Sequence, residues 1–186
     1  MSQRDDMISR GEDPYVLLAR RAIVHWLERG EIMEPPPDLP AEMVQQRAGV
    51  FVTLFEKKPA GGEEFRGCLG SIWPKRESIA SEIISIAIAS AQYDPRCEPV
   101  CLDEMDRIEI TVSVLEEPLP IESRDELDPR VFGVVVNGRG RQGVLLPDLS
   151  GVDTVEQQVE IAARKAGLEV GQIERTFRFR VQKHVG

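Results

Sequence analysis

The spacing of the apolar residues changes several times along this chain, and the order of the changes restricts the fold. Helical spacing fills the segment that Asp13 caps and Gly30 ends, residues 78–92, and the segment that follows the Thr154 and Gln157 capping box. Strand-like alternation fills residues 50–55, 65–72, 108–116, 131–136, 143–146 and 176–182. Because helices do not alternate strictly with strands, the sequence predicts an α+β fold with mainly antiparallel sheets and flanking helices, not a doubly wound parallel sheet.

The charge balance disfavours nucleic-acid binding. The 186 residues contain 23 Lys and Arg against 32 Asp and Glu, which gives a formal charge of -9. Such an average field repels a phosphate backbone. A local patch of Arg139, Arg141, Arg178 and Arg180 would have to work against it.

Nothing in the sequence predicts a membrane segment. The most apolar stretch, residues 79–91, is interrupted by polar side chains and is shorter than the roughly 20 residues that a span needs. The first residues, with Arg4, Asp5 and Asp6, lack the apolar core of a signal peptide. Three cysteines suit a reducing compartment better than a disulfide framework, so we expect a cytoplasmic protein.

The segment Phe65-Arg66-Gly67-Cys68-Leu69-Gly70 is the most unusual strand. Two glycines weaken a strand unless a backbone, a side chain or a ligand must come close. Strict alternation places Arg66, Cys68 and Gly70 on one face, with a guanidinium beside a thiol. A neighbouring cation lowers the pKa of a thiol and makes it a better nucleophile. The alternative stays open, in which Cys68 is a small buried residue and Arg66 pairs with a core carboxylate.

A second charged motif, Asp94-Pro95-Arg96, directly follows the apolar helix. It can place a carboxylate and a guanidinium at the rim of a cleft. It can equally be a turn with a surface ion pair.

Other motifs predict no cofactor or metal. The glycines at 138, 140 and 143 match the spacing of a dinucleotide fingerprint, but a strand-like segment ending in Pro147 follows where a helix is needed, so we predict a hairpin turn. His25 and His184 are the only histidines, which excludes a multi-histidine metal site. The spacing of Cys97 and Cys101 is neither a zinc knuckle nor a redox motif.

Five blocks occur in the order found in one known family. They are Val50-Phe51-Val52-Thr53-Leu54, the segment 65–70, Asp94-Pro95-Arg96, Gly143-Val144-Leu145-Leu146-Pro147 and Lys165-Ala166-Gly167-Leu168. Through them the chain, from about residue 15 to 181, resembles the AMMECR family, whose bacterial and archaeal members are called AmmeMemoRadiSam system protein A. It departs from the family at Cys97, where an aromatic residue is usual, and at Phe65, where Leu or Ile is usual.

The resemblance implies an α+β fold with a larger lobe, a smaller lobe and a cleft between them. It also implies association with a Memo-type protein and a radical SAM protein, but no reaction. This chain lacks the three-cysteine motif of an iron–sulfur cluster.

We therefore expect residues 1–186 to form a single domain of this type, with room for two lobes. Our leading hypothesis is an enzyme or enzyme accessory that acts on a small molecule in the inter-lobe cleft. Cys68 would be its nucleophile or ligand contact, Arg66 the electrostatic partner and anion binder, and the ligand-binding candidates are Gly67, Gly70, Asp94 and Arg96. The alternative is a non-catalytic protein-interaction module in which the Cys68 strand serves only the core.

Overall fold

The computed structural model of the protein describes residues 13–186. Its helices are α1 (Pro14–Arg29), α2 (Ala41–Gln45), α3 (Ile79–Gln92) and α4 (Val155–Lys165). Its strands are β1 (Gly49–Lys57), β2 (Glu63–Ser71), β3 (Ile108–Leu115), β4 (Leu119–Pro120), β5 (Gly133–Gly138), β6 (Arg141–Leu145), β7 (Arg175–Phe179) and β8 (Val181–Val185). The fold is α+β with two four-stranded antiparallel sheets and flanking helices, as the sequence predicted.

The chain divides into two compact units. Among the described residues the first unit holds 13–114 and 183–186, and the second holds 115–182. In the first unit the strand order is β2-β1-β3-β8, and Ile110 and Gly186 exchange backbone hydrogen bonds of 3.1 and 3.2 Å. Helices α1 and α3 pack against each other, and α3 also packs on β1 and β2. Burial of the apolar faces of these elements supplies the main stabilisation of this unit.

The first helix has the boundaries that its capping residues predict. The Asp13 side chain accepts a 2.9 Å hydrogen bond from the Tyr15 N–H, and Pro14 occupies the first turn. Gly30 ends the helix with a positive φ of 69°, a conformation that glycine adopts without steric cost. The same logic holds at α4, where Thr154 and Gln157 form the predicted capping box.

The second unit is built on the sheet β4-β7-β5-β6, with α4 packed against β5 and β6. The sequence predicted one final strand over residues 176–182, and that prediction is wrong. The strand is interrupted at Arg180, so β7 pairs in the sheet of the second unit while β8 pairs in the sheet of the first. Continuous alternation therefore concealed a change of sheet.

The β5–β6 hairpin confirms that the glycine-rich segment is a turn. The two turn residues are Arg139 and Gly140, with φ of 50° and 69°. The sequence signal Asn137-Gly138, which is typical of a two-residue hairpin turn, predicts the turn two residues too early, because both residues lie in β5 and pair with Gln142 and Arg141 of β6. A strand, β6, follows the turn, so no helix N-terminus is present to hold a pyrophosphate.

Across residues 13–186 no helix combines the length and the apolar character needed to cross a bilayer.

Candidate functional site

Strand β2 lies at one edge of the first sheet, and its middle is pressed against α3. Gly67 has φ of 145°, and a Cβ there would lie 2.1 Å from the Ser90 carbonyl oxygen, so only glycine fits. The Ser90 hydroxyl accepts from the Leu69 N–H at 3.0 Å and donates to the Val52 carbonyl at 2.9 Å. The helix backbone thus explains the first of the two glycines in the strand.

A β-bulge changes which residues of β2 share a face. Leu54 lies opposite Gly67, but Phe55 lies opposite Phe65, so Arg66 is an extra residue in the ladder. The alternation expected from the sequence is therefore interrupted at Arg66. Cys68 shares the outer face with Phe65, whereas alternation had assigned that place to Arg66.

The backbone and the sulfur of Cys68 are both held by side chains. Its sulfur accepts a hydrogen bond from the Thr53 hydroxyl at 3.1 Å, because the register sets Thr53 directly opposite. Its N–H donates to Asp94 Oδ2 at 2.8 Å, and its carbonyl accepts from Arg96 Nη2 at 2.8 Å. Cys68 is half-buried and forms no disulfide. Neighbouring side chains thus hold Cys68 in place, and the residue as a whole is partly exposed.

Asp94 and Arg96 form a rigid pair with opposite exposure. The Asp94 side chain is 1% exposed and that of Arg96 is 60% exposed. Arg96 donates from Nε to Oδ1 at 2.9 Å and from Nη2 to Oδ2 at 2.6 Å. The expected turn with a surface ion pair is thus only half right, because the carboxylate is buried.

The hydrogen bonds from Arg96 hold the pKa of Asp94 well below its usual range, and the Cys68 N–H lowers this pKa further, against the opposing effect of burial. In return, Asp94 raises the pKa of Arg96, and the nearby sulfurs of Cys68 and Cys97 add smaller contributions in the same direction. The cation that acts electrostatically on Cys68 is therefore Arg96.

Aromatic rings line the outer face beside the thiol. The Arg96 guanidinium lies over the Phe65 ring, 4.8 Å from its centroid, and Phe65 meets Phe55 edge to face at 5.7 Å. A Cβ on Gly70 would overlap the Phe51 ring, at 2.2 Å from its Cγ. The second glycine of the strand thus makes room for an aromatic side chain.

Arg66 is engaged away from the thiol. It donates from Nη2 to Glu104 Oε2 at 2.9 Å, and the two side chains are only 12% and 17% exposed. Burial by itself lowers the pKa of Arg66, but the hydrogen bond and the charge of Glu104 outweigh it and raise the pKa. Glu104 also accepts from the Cys101 N–H at 2.7 Å. This is the pairing with a buried carboxylate that the structural alternative for Arg66 anticipated.

His184 does not form a pair with Cys68. Its Nδ1 is bonded to Asp13 Oδ2 at 2.7 Å and its ring stacks on Tyr15 at 3.8 Å. Strands β2 and β8 are opposite edges of the four-stranded sheet, so they are roughly 14 Å apart. Within the part of the chain that the structure describes, no three side chains of His, Cys, Asp or Glu converge as metal ligands.

Two surface cavities are lined by other residues. One, of about 570 Å³, is in the second unit between β4, β7 and neighbouring loops. The other, of about 610 Å³, surrounds the β1–β2 turn. Neither is lined by a residue that the sequence nominated.

The structure thus brings Gly67, Cys68, Asp94 and Arg96 together, with Gly70 two residues further along β2. It directs Arg66 to Glu104. Sequence reasoning missed Thr53, Phe65 and Ser90. For Thr53 a signal existed, since hairpin pairing places it near Cys68, but without the bulge it would oppose Gly67.

Sequence comparisons match this chain to a family of known proteins. The AMMECR1 family model matches residues 16–184. A protein of Thermotoga maritima is 42% identical over 175 residues, 94% of this chain and 98% of its own. Protein CA_C1420 of Clostridium acetobutylicum is 42% identical over 174 residues, which make up 93% of this chain but 36% of that protein.

A solved structure has the same fold. The crystal structure of the uncharacterised protein PH0010 from Pyrococcus horikoshii matches with a TM-score of 0.81 at 33% identity, covering 91% of this chain and 88% of its own. None of these names states an activity.

Proposed function

This chain belongs to the AMMECR1 family, and the names of the similar proteins state no activity, so we propose a function from the site itself. The protein is an enzyme or enzyme accessory that binds a small anionic molecule beside Cys68. The observation that carries the proposal is the position of Arg96. A buried carboxylate and the Cys68 carbonyl fix its guanidinium, while its side chain is 60% exposed.

Arg96 supplies the anion-binding group. Its side-chain hydrogen bonds use Nε and Nη2, and among the described residues Nη1 has no hydrogen-bond partner. A guanidinium held in one orientation loses little conformational entropy when it binds a carboxylate or phosphate. Its charge is positive at any physiological pH, as for every arginine, and Asp94 raises its pKa further.

Cys68 supplies the nucleophile. The Thr53 hydroxyl donates to its sulfur at 3.1 Å, and the Arg96 charge lies nearby. Both effects favour the thiolate over the thiol. Phe65 and Phe55 offer an apolar surface for the remainder of the ligand.

The other nominated residues have supporting roles in this proposal. Gly67 and Gly70 let the strand lie close to Ser90 and Phe51, which sets the position of the thiol. Asp94 orients Arg96 and the Cys68 N–H. Arg66 stabilises β2 through its ion pair with Glu104 and does not contact the ligand.

The test compares two alkylating reagents that differ in charge. In each, the Cys68 sulfur displaces iodide from carbon, so that a C–S bond forms and a C–I bond breaks. Cys97 and Cys101 are first replaced by Ala, leaving one thiol. We expect the rate ratio of iodoacetate to iodoacetamide to be about fivefold higher than for glutathione, since Arg96 attracts the carboxylate.

The control variants are Arg96→Gln and Arg66→Gln, which remove the same charge from the two sides of β2. The ratio should fall to the glutathione value in the first and stay high in the second. A ratio equal to that of glutathione in the unmutated site would refute anion binding at Arg96. Labelling only after denaturation would refute a reactive Cys68 and leave the protein-interaction module as the better account.

We propose further that the protein acts with other proteins, of Memo type and radical SAM type, as the family resemblance implies. In the Clostridium relative the matched part makes up 36% of the protein, so an AMMECR1-type segment is joined there to further sequence. Co-purification of a tagged chain from its own host tests this, and recovery without either protein would contradict it.

The unbridged cysteines support a reducing, cytoplasmic location.

A further inference from the structure

The second unit carries a pair of arginines at one aromatic ring. The guanidinium carbons of Arg178 and Arg180 lie 4.7 and 4.8 Å from the centroid of the Phe132 ring. The register of β5 and β7 sets Val134 opposite Arg178, and alternation then brings Arg180 to the same face beside Phe132. Two positive charges are therefore concentrated on one small surface of an acidic protein.

The first arginine is held in place by the loop before β5. Arg178 donates to the Glu126 carbonyl at 2.8 Å, and its Nη2 lies 3.8 Å from the Glu126 carboxylate. The Glu126 carboxylate accepts from the Glu122 N–H at 3.0 Å and the Ser123 N–H at 3.3 Å, both through Oε1, whereas Arg178 faces Oε2. These two backbone donors and, with a smaller effect, the charge of Arg178 hold the pKa of Glu126 below its usual value. Glu126 is thus a partly exposed counter-ion of Arg178 at the long end of the ion-pair distance.

Among the described residues the second arginine has no counter-ion. Arg180 is exposed, and within residues 13–186 its guanidinium forms no ion pair or hydrogen bond and lies over the Phe132 ring. Arginine stacked on an aromatic ring keeps all its N–H donors at the edge of the stack, where an oxyanion can accept them.

The backbone of Phe132 is held by two hydrogen bonds. Its carbonyl accepts a 2.7 Å hydrogen bond from Gln158, a fully buried residue of α4, and its N–H donates to the Asp128 carbonyl at 2.7 Å. The ring therefore forms a fixed platform for both guanidiniums. This differs from a pair of flexible surface arginines, whose side chains would have to be ordered on binding.

We propose that Arg178, Phe132 and Arg180 form a binding site for a small ligand that carries more than one anionic oxygen group, either a diphosphate or a polycarboxylate. Opposite charge on the ligand removes the repulsion between the two guanidiniums, and each guanidinium can bind an oxyanion in a bidentate manner. This proposal does not depend on the function proposed for Cys68.

A nucleic acid is the less suitable occupant. Arg139 and Arg141 flank the tip of the β5–β6 hairpin, whereas Arg178 pairs near the opposite end of β5, opposite Val134. The five residues from Val134 to Gly138 span roughly 13 Å, so the four arginines do not form one continuous patch. Together with the net charge of -9, this favours a compact ligand over a phosphate backbone.

The experiment is calorimetric titration of the full chain with inorganic pyrophosphate and, separately, with citrate. The variants are Arg180→Gln and Phe132→Leu, and Arg139→Gln is the control because it removes the same charge from an exposed arginine at the hairpin tip. We expect Arg180→Gln to weaken binding about tenfold and Phe132→Leu about threefold, with Arg139→Gln within about twofold of the parent. The reagent that binds more tightly identifies the ligand as a phosphate or a carboxylate.

Three results would overturn the proposal. They are no binding of either reagent at physiological ionic strength, equal weakening by Arg180→Gln and Arg139→Gln, or a single-stranded oligonucleotide that binds at least about tenfold more tightly than both reagents with a steep salt dependence. Among the described residues the Arg180 side chain forms no hydrogen bond or ion pair, so Arg180→Gln should leave the fold intact; circular dichroism of the variant checks this.

Discussion

Two arginines contribute to strand β2 or contact it, and their charges are used in opposite ways. Arg66 comes from the strand itself and lies 12% exposed against Glu104, which is also mostly buried. Arg96 comes from the turn after α3 and lies 60% exposed, while its partner Asp94 is buried. In the first pair both charges are withdrawn from solvent; in the second only the carboxylate is.

The difference shows which cation can meet a ligand. In a buried pair the attraction between the two charges offsets the cost of their desolvation, and each charge is neutralised by its partner, so the pair has a structural role. An exposed guanidinium anchored by a buried carboxylate keeps both its charge and its orientation. Nearness in sequence favoured Arg66 as the partner of Cys68, but the contacts favour Arg96.

The two arginines should differ most in how much stability the protein loses when each is replaced. We expect Arg66→Gln to lower the free energy of unfolding by about 2–3 kcal/mol, because it leaves the Glu104 carboxylate buried without its cation. Arg96→Gln should cost less, about 1 kcal/mol, although Asp94 is also buried, because Asp94 keeps two backbone donors where Glu104 keeps one and water can replace a guanidinium that is 60% exposed. Urea denaturation of both variants measures this. Equal losses would mean that exposure does not distinguish the pairs.

The next effect is a pH dependence that belongs to the Asp94 pair. The pKa of Asp94 is lowered in the folded protein, mainly by Arg96, so the unfolded chain takes up the proton first as the pH falls below about 4. The stability that the pair contributes is thus complete at neutral pH and is lost in acid. Asp94→Asn should be about 1–2 kcal/mol less stable than the parent at pH 7, with a smaller difference near pH 3.

Denaturation at a series of pH values tests this dependence, with Asp38→Asn as a control for an exposed aspartate. A difference between parent and Asp94→Asn that stays constant from pH 7 to pH 3 would contradict the assignment of the pair.

Local signals in the sequence predicted most of the fold. Capping residues such as Asp13 and Thr154, and the glycine that ends α1, act within one turn of helix, so their effect can be derived from the chain alone. The interruption at Arg180 could not, because the sheet that each half of the strand joins depends on distant partners.

The site could be predicted only in part for the same reason. Cys68, Asp94 and Arg96 stood out by their chemistry. Their arrangement depends on a one-residue bulge at Arg66 and on a contact between Arg96 and Cys68 across 28 residues of sequence. A bulge reverses the faces of a strand without altering its composition, so periodicity misassigned the neighbour of the thiol.

The most direct test of the account is the rate of Cys68 alkylation by iodoacetamide, a neutral reagent, as a function of pH. It is measured with Cys97 and Cys101 replaced by Ala, in the parent, Arg96→Gln and Arg66→Gln. If Arg96 is the cation that favours the thiolate, the midpoint of the pH–rate profile rises in Arg96→Gln and stays unchanged in Arg66→Gln. A midpoint that moves in Arg66→Gln alone would contradict the account and restore the pairing that the sequence suggested.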